Sequence, residues 1–268
     1  MSRADKDPMN ITLACTWHPR GEMTRFQQLR PQLAQRYTQI ILVTPATAGE
    51  EAVASVCALA DEPHLTVAIS PAPPASRYLA LQTAWQRSTA AHIHYADLDR
   101  LLRWVETRSE EWQQTVAALP HHDCLIIGRT AQAFATHPQA LQQTERIINT
   151  VFSHHFGQAV DLGGGSRGYS RRCVEHLLAH SRPGPWDDAQ WPMLLQQAGF
   201  RLGYLAVDGL DWESADRHRS QAADGALQRA AADAYDADPA HWARRVQIAL
   251  EIIQASLAPE ALSDGISE

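Results

Sequence analysis

Between Asn10 and Arg129 the chain alternates short apolar runs with longer stretches of helical spacing, and this alternation is what most restricts its fold. Strands are predicted over Asn10–Cys15, Gln39–Val43, Leu65–Ile69, the run beginning at Ala91, and His122–Arg129. Helices are predicted over Glu22–Arg36, Glu50–Leu59, Ser76–Arg87 and, as a pair, within Leu101–Leu119. The second strand, Gln-Ile-Ile-Leu-Val, is continuously apolar, as a parallel strand covered on both faces must be. A βαβαβ order of this kind predicts a mostly parallel sheet with helices on both sides.

The fourth strand carries the most chemistry. Ala91-His92-Ile93-His94-Tyr95-Ala96-Asp97-Leu98-Asp99-Arg100 ends in two carboxylates one residue apart. In an open α/β sheet, ligands gather outside the carboxyl ends of the strands, where such a pair can hold a divalent cation and the diphosphate it neutralises. The tripeptide alone is weak, because Asp5-Lys6-Asp7 and Asp236-Ala237-Asp238 repeat it in polar surroundings. Only the pair at 97 and 99 follows a strand pattern.

Composition removes several alternatives. A net charge of −7 argues against a nucleic-acid binder, which needs a basic field to collect phosphates. Lys6 is the only lysine, so Schiff-base and phosphate-loop mechanisms that need a lysine in the folded body are excluded. Cys15, Cys57, Cys124 and Cys173 have no paired spacing, which suits reduced thiols, three of them in apolar segments. The first ten residues are polar and no apolar run approaches the roughly 20 residues that span a bilayer, so a soluble, cytoplasmic protein is expected.

After Gln139–Phe156, a helical pattern, comes Asp161-Leu162-Gly163-Gly164-Gly165-Ser166-Arg167-Gly168, read as a glycine-rich loop leading into a helix near Ser170. Backbone N–H groups at such a helix start suit an anion, which makes Gly164, Gly165 and Ser166 candidates for acceptor binding. Trp186-Asp187-Asp188 opens another helix, with Asp187 as its expected cap and Asp188 without an evident structural task. A strand is predicted over Leu202–Val207 and a long helix over Pro239–Leu257. His92 and His94 share one strand face and read as core or cleft lining; His154 and His155 lie near a helix end, where the dipole accounts for them.

Taken in order, the Thr16–Glu22 loop, Thr44-Pro45, Asp97-Leu98-Asp99, the glycine-rich loop, Trp186-Asp187-Asp188 and Gly199-Phe200-Arg201-Leu202 resemble the GT-A fold of nucleotide-sugar glycosyltransferases, over roughly Asn10 to Ser220. The resemblance implies an α/β, Rossmann-like, mixed but mostly parallel sheet with helices on both faces, and hexosyl transfer from a nucleotide-diphosphate sugar. It implies that Asp97 faces the donor ribose, that Asp99 holds Mg²⁺ or Mn²⁺ on the diphosphate, and that the Thr16 loop flanks the base. Arg77 stands where those relatives commonly offer a lysine. Arg217-His218-Arg219 is similar to a segment of the glucosyl- and mannosyl-glycerate synthases, in which a late histidine completes the metal site, so His218 is a candidate ligand.

An inverting enzyme needs a carboxylate base on the acceptor hydroxyl, for which Asp188 is the nominee; a retaining one does not, and the His218 segment favours retention with a small anionic acceptor. A nucleotidyltransferase and a catalytically silent nucleotide-binding scaffold are the alternatives. The predicted organisation is a polar tail over 1–9, one domain over 10–258 and a frayed tail over 259–268. Within the domain, 10–130 forms the nucleotide half, 131–220 the acceptor half and 221–258 a helical segment. A homodimer is left open.

Overall fold

The computed structural model describes residues 10–212 and 225–259. Seven strands form one sheet: β1 (Ile11–Thr16), β2 (Gln39–Pro45), β3 (Leu65–Ser70), β4 (His92–Asp97), β5 (Cys124–Arg129), β6 (Ser166–Ser170) and β7 (Leu202–Val207). Their order is β3-β2-β1-β4-β6-β5-β7. All neighbours run parallel except β6, which is antiparallel to both β4 and β5. The expected mixed, mostly parallel α/β sheet is therefore present.

The helices segregate by face as the strand order requires. On one side α1 (Met23–Ala34), α2 (Glu50–Cys57), α4 (Leu98–Thr107) and α5 (Ser109–Ala118) cover Leu13, Cys15, Leu42 and Ile127. On the other, α3 (Pro73–Arg87), α7 (Gln139–Phe156), α8 (Arg171–His180), α9 (Asp187–Gln197) and α11 (Pro239–Leu257) cover Ala14, Ile41, Val43 and Ile126. Short α6 (Ala131–Ala135) follows β5, and α10 (Gly225–Asp236) precedes α11. Successive residues of β1 thus enter opposite cores, the two-residue period of a doubly covered strand. Cys15, Cys124 and Cys173 are buried, and Cys57 is exposed.

Two expectations are corrected. The expected helix start near Ser170 is present, with α8 beginning at Arg171 and Ser170 as its cap, but Ser166–Ser170 is a strand in the middle of the sheet and not part of a loop. Ser-Arg-Gly-Tyr-Ser lacks an apolar run, and its place is fixed by backbone pairing to β4 and β5 on both sides. Gly164, Gly165 and Ser166 consequently sit before and at a strand, which separates them from the α8 start that was to collect an anion. Nor is Asp187 a cap: it lies inside α9 with no capping hydrogen bond, fully buried.

His94 points into the α1/α4 core, where Nδ1 hydrogen-bonds with Tyr37 (2.7 Å) and Nε2 with Ser166 (2.8 Å). Burial pushes its pKa down to about 3. The folded state therefore holds a neutral imidazole that the unfolded chain protonates below about 6.5. Its contribution to stability is complete above that value and is lost as pH falls toward about 3. Urea unfolding of the wild type at pH 7 and pH 5 should show a loss of which about 2 kcal/mol comes from His94. His94→Gln should remove that share of the pH dependence; an undiminished loss in the variant would show that the imidazole is not the linked group.

Candidate functional site

β1 and β4 are parallel neighbours from which the chain proceeds toward opposite edges of the sheet, and Thr16 and Asp97 are register partners at their carboxyl ends. Such a reversal opens a crevice above the strand ends. Asp97 Oδ1 accepts hydrogen bonds from the Tyr95 hydroxyl (2.6 Å) and from Thr16 Oγ1 (3.0 Å). Tyr95 can reach because it lies two residues earlier on the same strand face. The second oxygen, Oδ2, is 3.6 Å from Arg77 Nη2. Asp97 thus arrives in the cleft oriented by its own strand, with one oxygen engaged and the other facing cations.

Asp99 is not on the strand. It lies in the first turn of α4, where the helix dipole favours a carboxylate, and Oδ1 accepts the Arg100 N–H (2.9 Å). Its Oδ2 takes a charge-assisted bond from Arg20 Nη2 at 2.6 Å. About a fifth of each acid's side chain remains exposed, 22% for Asp97 and 23% for Asp99, so both are open to a ligand.

Asp188 closes the other side. Arg77 Nη1 is 2.6 Å from its Oδ1, and Arg167 Nη2 is 3.1 Å from the same oxygen. Burial would raise the Asp188 carboxyl, but Arg77 and then Arg167 outweigh it and hold the group below the usual carboxylate range. Asp187 is its opposite: neither oxygen has a hydrogen-bond partner among the described residues, and burial drives its pKa well upward. Adjacent carboxyls are thus pushed in opposite directions, Asp188 held down by arginines and Asp187 driven up by burial.

Two cavities meet at this cluster. One of about 250 Å³ is lined by Thr16, Trp17, His18 and Asp99; the other, about 280 Å³, lies toward α7 and α11. Both touch Pro73, Arg77, Asp97 and Arg100. The structure therefore brings Thr16, Arg77, Asp97, Asp99 and Asp188 to one cleft. Among the described residues no three His, Cys, Asp or Glu side chains gather as a metal centre, and His218 lies outside them.

The glycine residues flank the cleft as scaffold. The Gly165 carbonyl accepts the Asp97 N–H (2.9 Å), Arg100 donates to the Gly163 carbonyl (2.7 Å), and Ser166 is buried against His94. Sequence reasoning missed Tyr95, Arg20, Arg100 and Arg167. Tyr95 was legible from its strand spacing to Asp97. The arginines carry no local signal, since each reaches its partner across distant segments.

No family model and no curated protein sequence matches the chain. Several solved structures are similar in chain course. A crystal structure of 4-diphosphocytidyl-2C-methyl-D-erythritol synthase from Anaerococcus prevotii is 12% identical, with a TM-score of 0.49 over 85% of this chain and 98% of that one. Glucosyl-3-phosphoglycerate synthase from Mycobacterium tuberculosis, crystallised with Mn²⁺, UDP and phosphoglyceric acid, is 9% identical, with a TM-score of 0.47 over 85% of this chain and 79% of that one. S. aureus TarS 1-349 is 13% identical, with a TM-score of 0.45 over 97% and 76% of the two chains. Likeness at this level says nothing of the reaction.

Gly165 is required twice over. Its φ is +67°, and a Cβ there would collide with Asp97 Oδ2. Gly165→Ala should cost roughly 1–2 kcal/mol for the left-handed backbone alone, with a further loss from displacing the Asp97 carboxylate. Thermal unfolding measures it, and a variant as stable as wild type would show that the turn has an alternative conformation.

Proposed function

We propose that this chain is a metal-dependent glycosyltransferase that moves a sugar from a nucleotide-diphosphate sugar to a small hydroxyl acceptor. The observation that carries the reading is the placement of Asp97 and Asp99 at the β1/β4 crevice, between two lobes that could take a donor and an acceptor. In this reading the lobe beside Thr16 receives the nucleotide, with the exposed His18 offering ring surface to a base while the Trp17 indole stays in the core beneath. Asp97 and Arg77 lie where that lobe meets its neighbour, at the place for the diphosphate and the sugar.

The oxygens on hand fit a hard divalent cation. Asp99 and the Oδ2 side of Asp97, which Arg77 faces at 3.6 Å, are carboxylates at the cleft mouth, and Mg²⁺ or Mn²⁺ needs only one or two such ligands when substrate phosphates and water supply the rest. Bound there, the cation would offset the charge that develops on the departing diphosphate. His218 is kept as a third ligand on the strength of the sequence resemblance. Arg20, now on Asp99, and Arg77 add positive charge beside the same place.

Asp188 is poorly suited to remove a proton. A carboxylate bonded by Arg77 and Arg167 and held below its usual pKa has lost basicity, and its role is to align Arg77. That supports retention, in which the leaving diphosphate oxygen takes the acceptor proton on the same face of the sugar. The anionic acceptor is moved away from Gly164, Gly165 and Ser166, since β6 separates them from the helix start at Arg171.

Calorimetric titration of nucleoside diphosphates with and without Mn²⁺ tests the site. Asp99→Ala should abolish the metal-dependent part of the affinity while leaving the fold intact, and equal affinities in both proteins would remove the assignment. Asp188→Asn separates the two stereochemical schemes: a loss smaller than the roughly 10²- to 10⁴-fold typical of a missing general base fits retention. NMR of the new anomer decides independently, because a product of inverted configuration contradicts the proposal.

A further inference from the structure

The lobe between α7 and α11 differs in chemistry from its neighbour. Leu141 and Ile148 from α7 face Ile248 and Ile252 from α11, with Glu145 and Asn149 also on the α7 side, and among the described residues no aromatic ring lines it. At its inner end stand Arg77 and Arg100 with Asp97 and Asp188, two cations beside two carboxylates. On the α11 wall Arg245 gives Nη2 to Glu145 (2.7 Å) but keeps a buried Nε without a partner, while the adjoining Arg244 pairs with no acid among the described residues. The lobe therefore offers a polar inner end, an apolar middle and a positive α11 wall.

We infer that this lobe seats a hydroxylated carboxylic acid with an apolar aryl or aliphatic body, its carboxylate on Arg244, its body between Ile148, Ile248 and Ile252, and its hydroxyl directed to the Asp97 end. The direction of the hydroxyl rests on the glycosyl-transfer reading; the seat itself does not. A short, fully polar hydroxy acid would leave the four aliphatic side chains facing its hydroxyls and gain nothing from them. An apolar alcohol would leave the cationic wall unanswered. A cavity of about 280 Å³ accommodates a body the size of one aromatic ring with a short acid chain.

The test uses the full chain without donor and three probes: 3-(4-hydroxyphenyl)propionate, 3-(4-hydroxyphenyl)propanol, which lacks the charge, and glycerate, which lacks the apolar body. The acid should bind about tenfold or more tightly than either control, the gain expected of a charge-assisted bond added to apolar burial. Arg244→Gln should bring the acid down to the affinity of the alcohol and leave the alcohol unchanged. Ile248→Asn should weaken both aryl probes. Absence of acid binding, equal affinity for the three probes, or an Arg244→Gln variant that binds the acid as wild type does would each overturn the inference. A parallel titration with nucleoside diphosphates and Mn²⁺ keeps the two readings apart. Nucleotide binding without acid binding sinks only the seat, and acid binding without nucleotide binding sinks only the transfer reading.

Discussion

Arg77 stands between two carboxylates, Asp97 at the end of β4 and Asp188 in the first turn of α9, and both lobes of the cleft are arranged around that contact. The Arg77 side chain keeps 26% of its surface exposed, and acids answer the guanidinium on two sides. Burial lowers its pKa, but Asp188, Tyr95 and Asp97 together reverse the effect, so it stays charged. Arg167 then answers the remaining charge of Asp188 from beneath, through β6. The alternation of acid and base across β4, α3, α9 and β6 gives the cleft a fixed charge pattern before any ligand arrives, which is the preorganisation that electrostatic catalysis needs.

A second buried chain of charges sets the far wall. Arg129, at the end of β5, bonds Asp161 through Nε (2.8 Å) and Nη2 (2.8 Å), and reaches Glu145 on α7 through Nη2 (2.5 Å). Glu145 passes the contact to Arg245 on α11. One arginine thus holds the entry to the glycine-rich segment, α7 and α11 at once, and removing a single member of so buried a chain costs several times an exposed pair, about 3–5 kcal/mol. The same contact leaves the buried Arg245 Nε without a hydrogen-bond partner.

The parts of the site that were legible in the sequence are those whose meaning is local. Asp97 and Asp99 follow a strand pattern within a few residues of each other, and Thr16 ends a strand whose apolar run is unmistakable. Asp188 was legible only as an acid without a structural task, and the split between it and Asp187 was not, because backbone position and neighbouring arginines decide which carboxyl is held down and which is driven up. β6 was hidden for a related reason: its serines, arginine and glycine have little strand preference of their own, and pairing on both edges overrides it.

Sequence by itself determined the order of strands and helices as far as β5, the doubly covered character of β2, and the two acids at and just after the end of β4, because apolar period and chain adjacency are written residue by residue. Tertiary structure decided that β6 is inserted antiparallel between β4 and β5, and that Arg20, Arg77 and Arg167 come from three distant segments to the two aspartates of the cleft and to Asp188. It also decided that α11 closes over α7 to make an apolar lobe with an arginine wall. Such contacts depend on which surfaces meet after the sheet has formed, and long, flexible arginine side chains leave no periodic trace of the partner they will find.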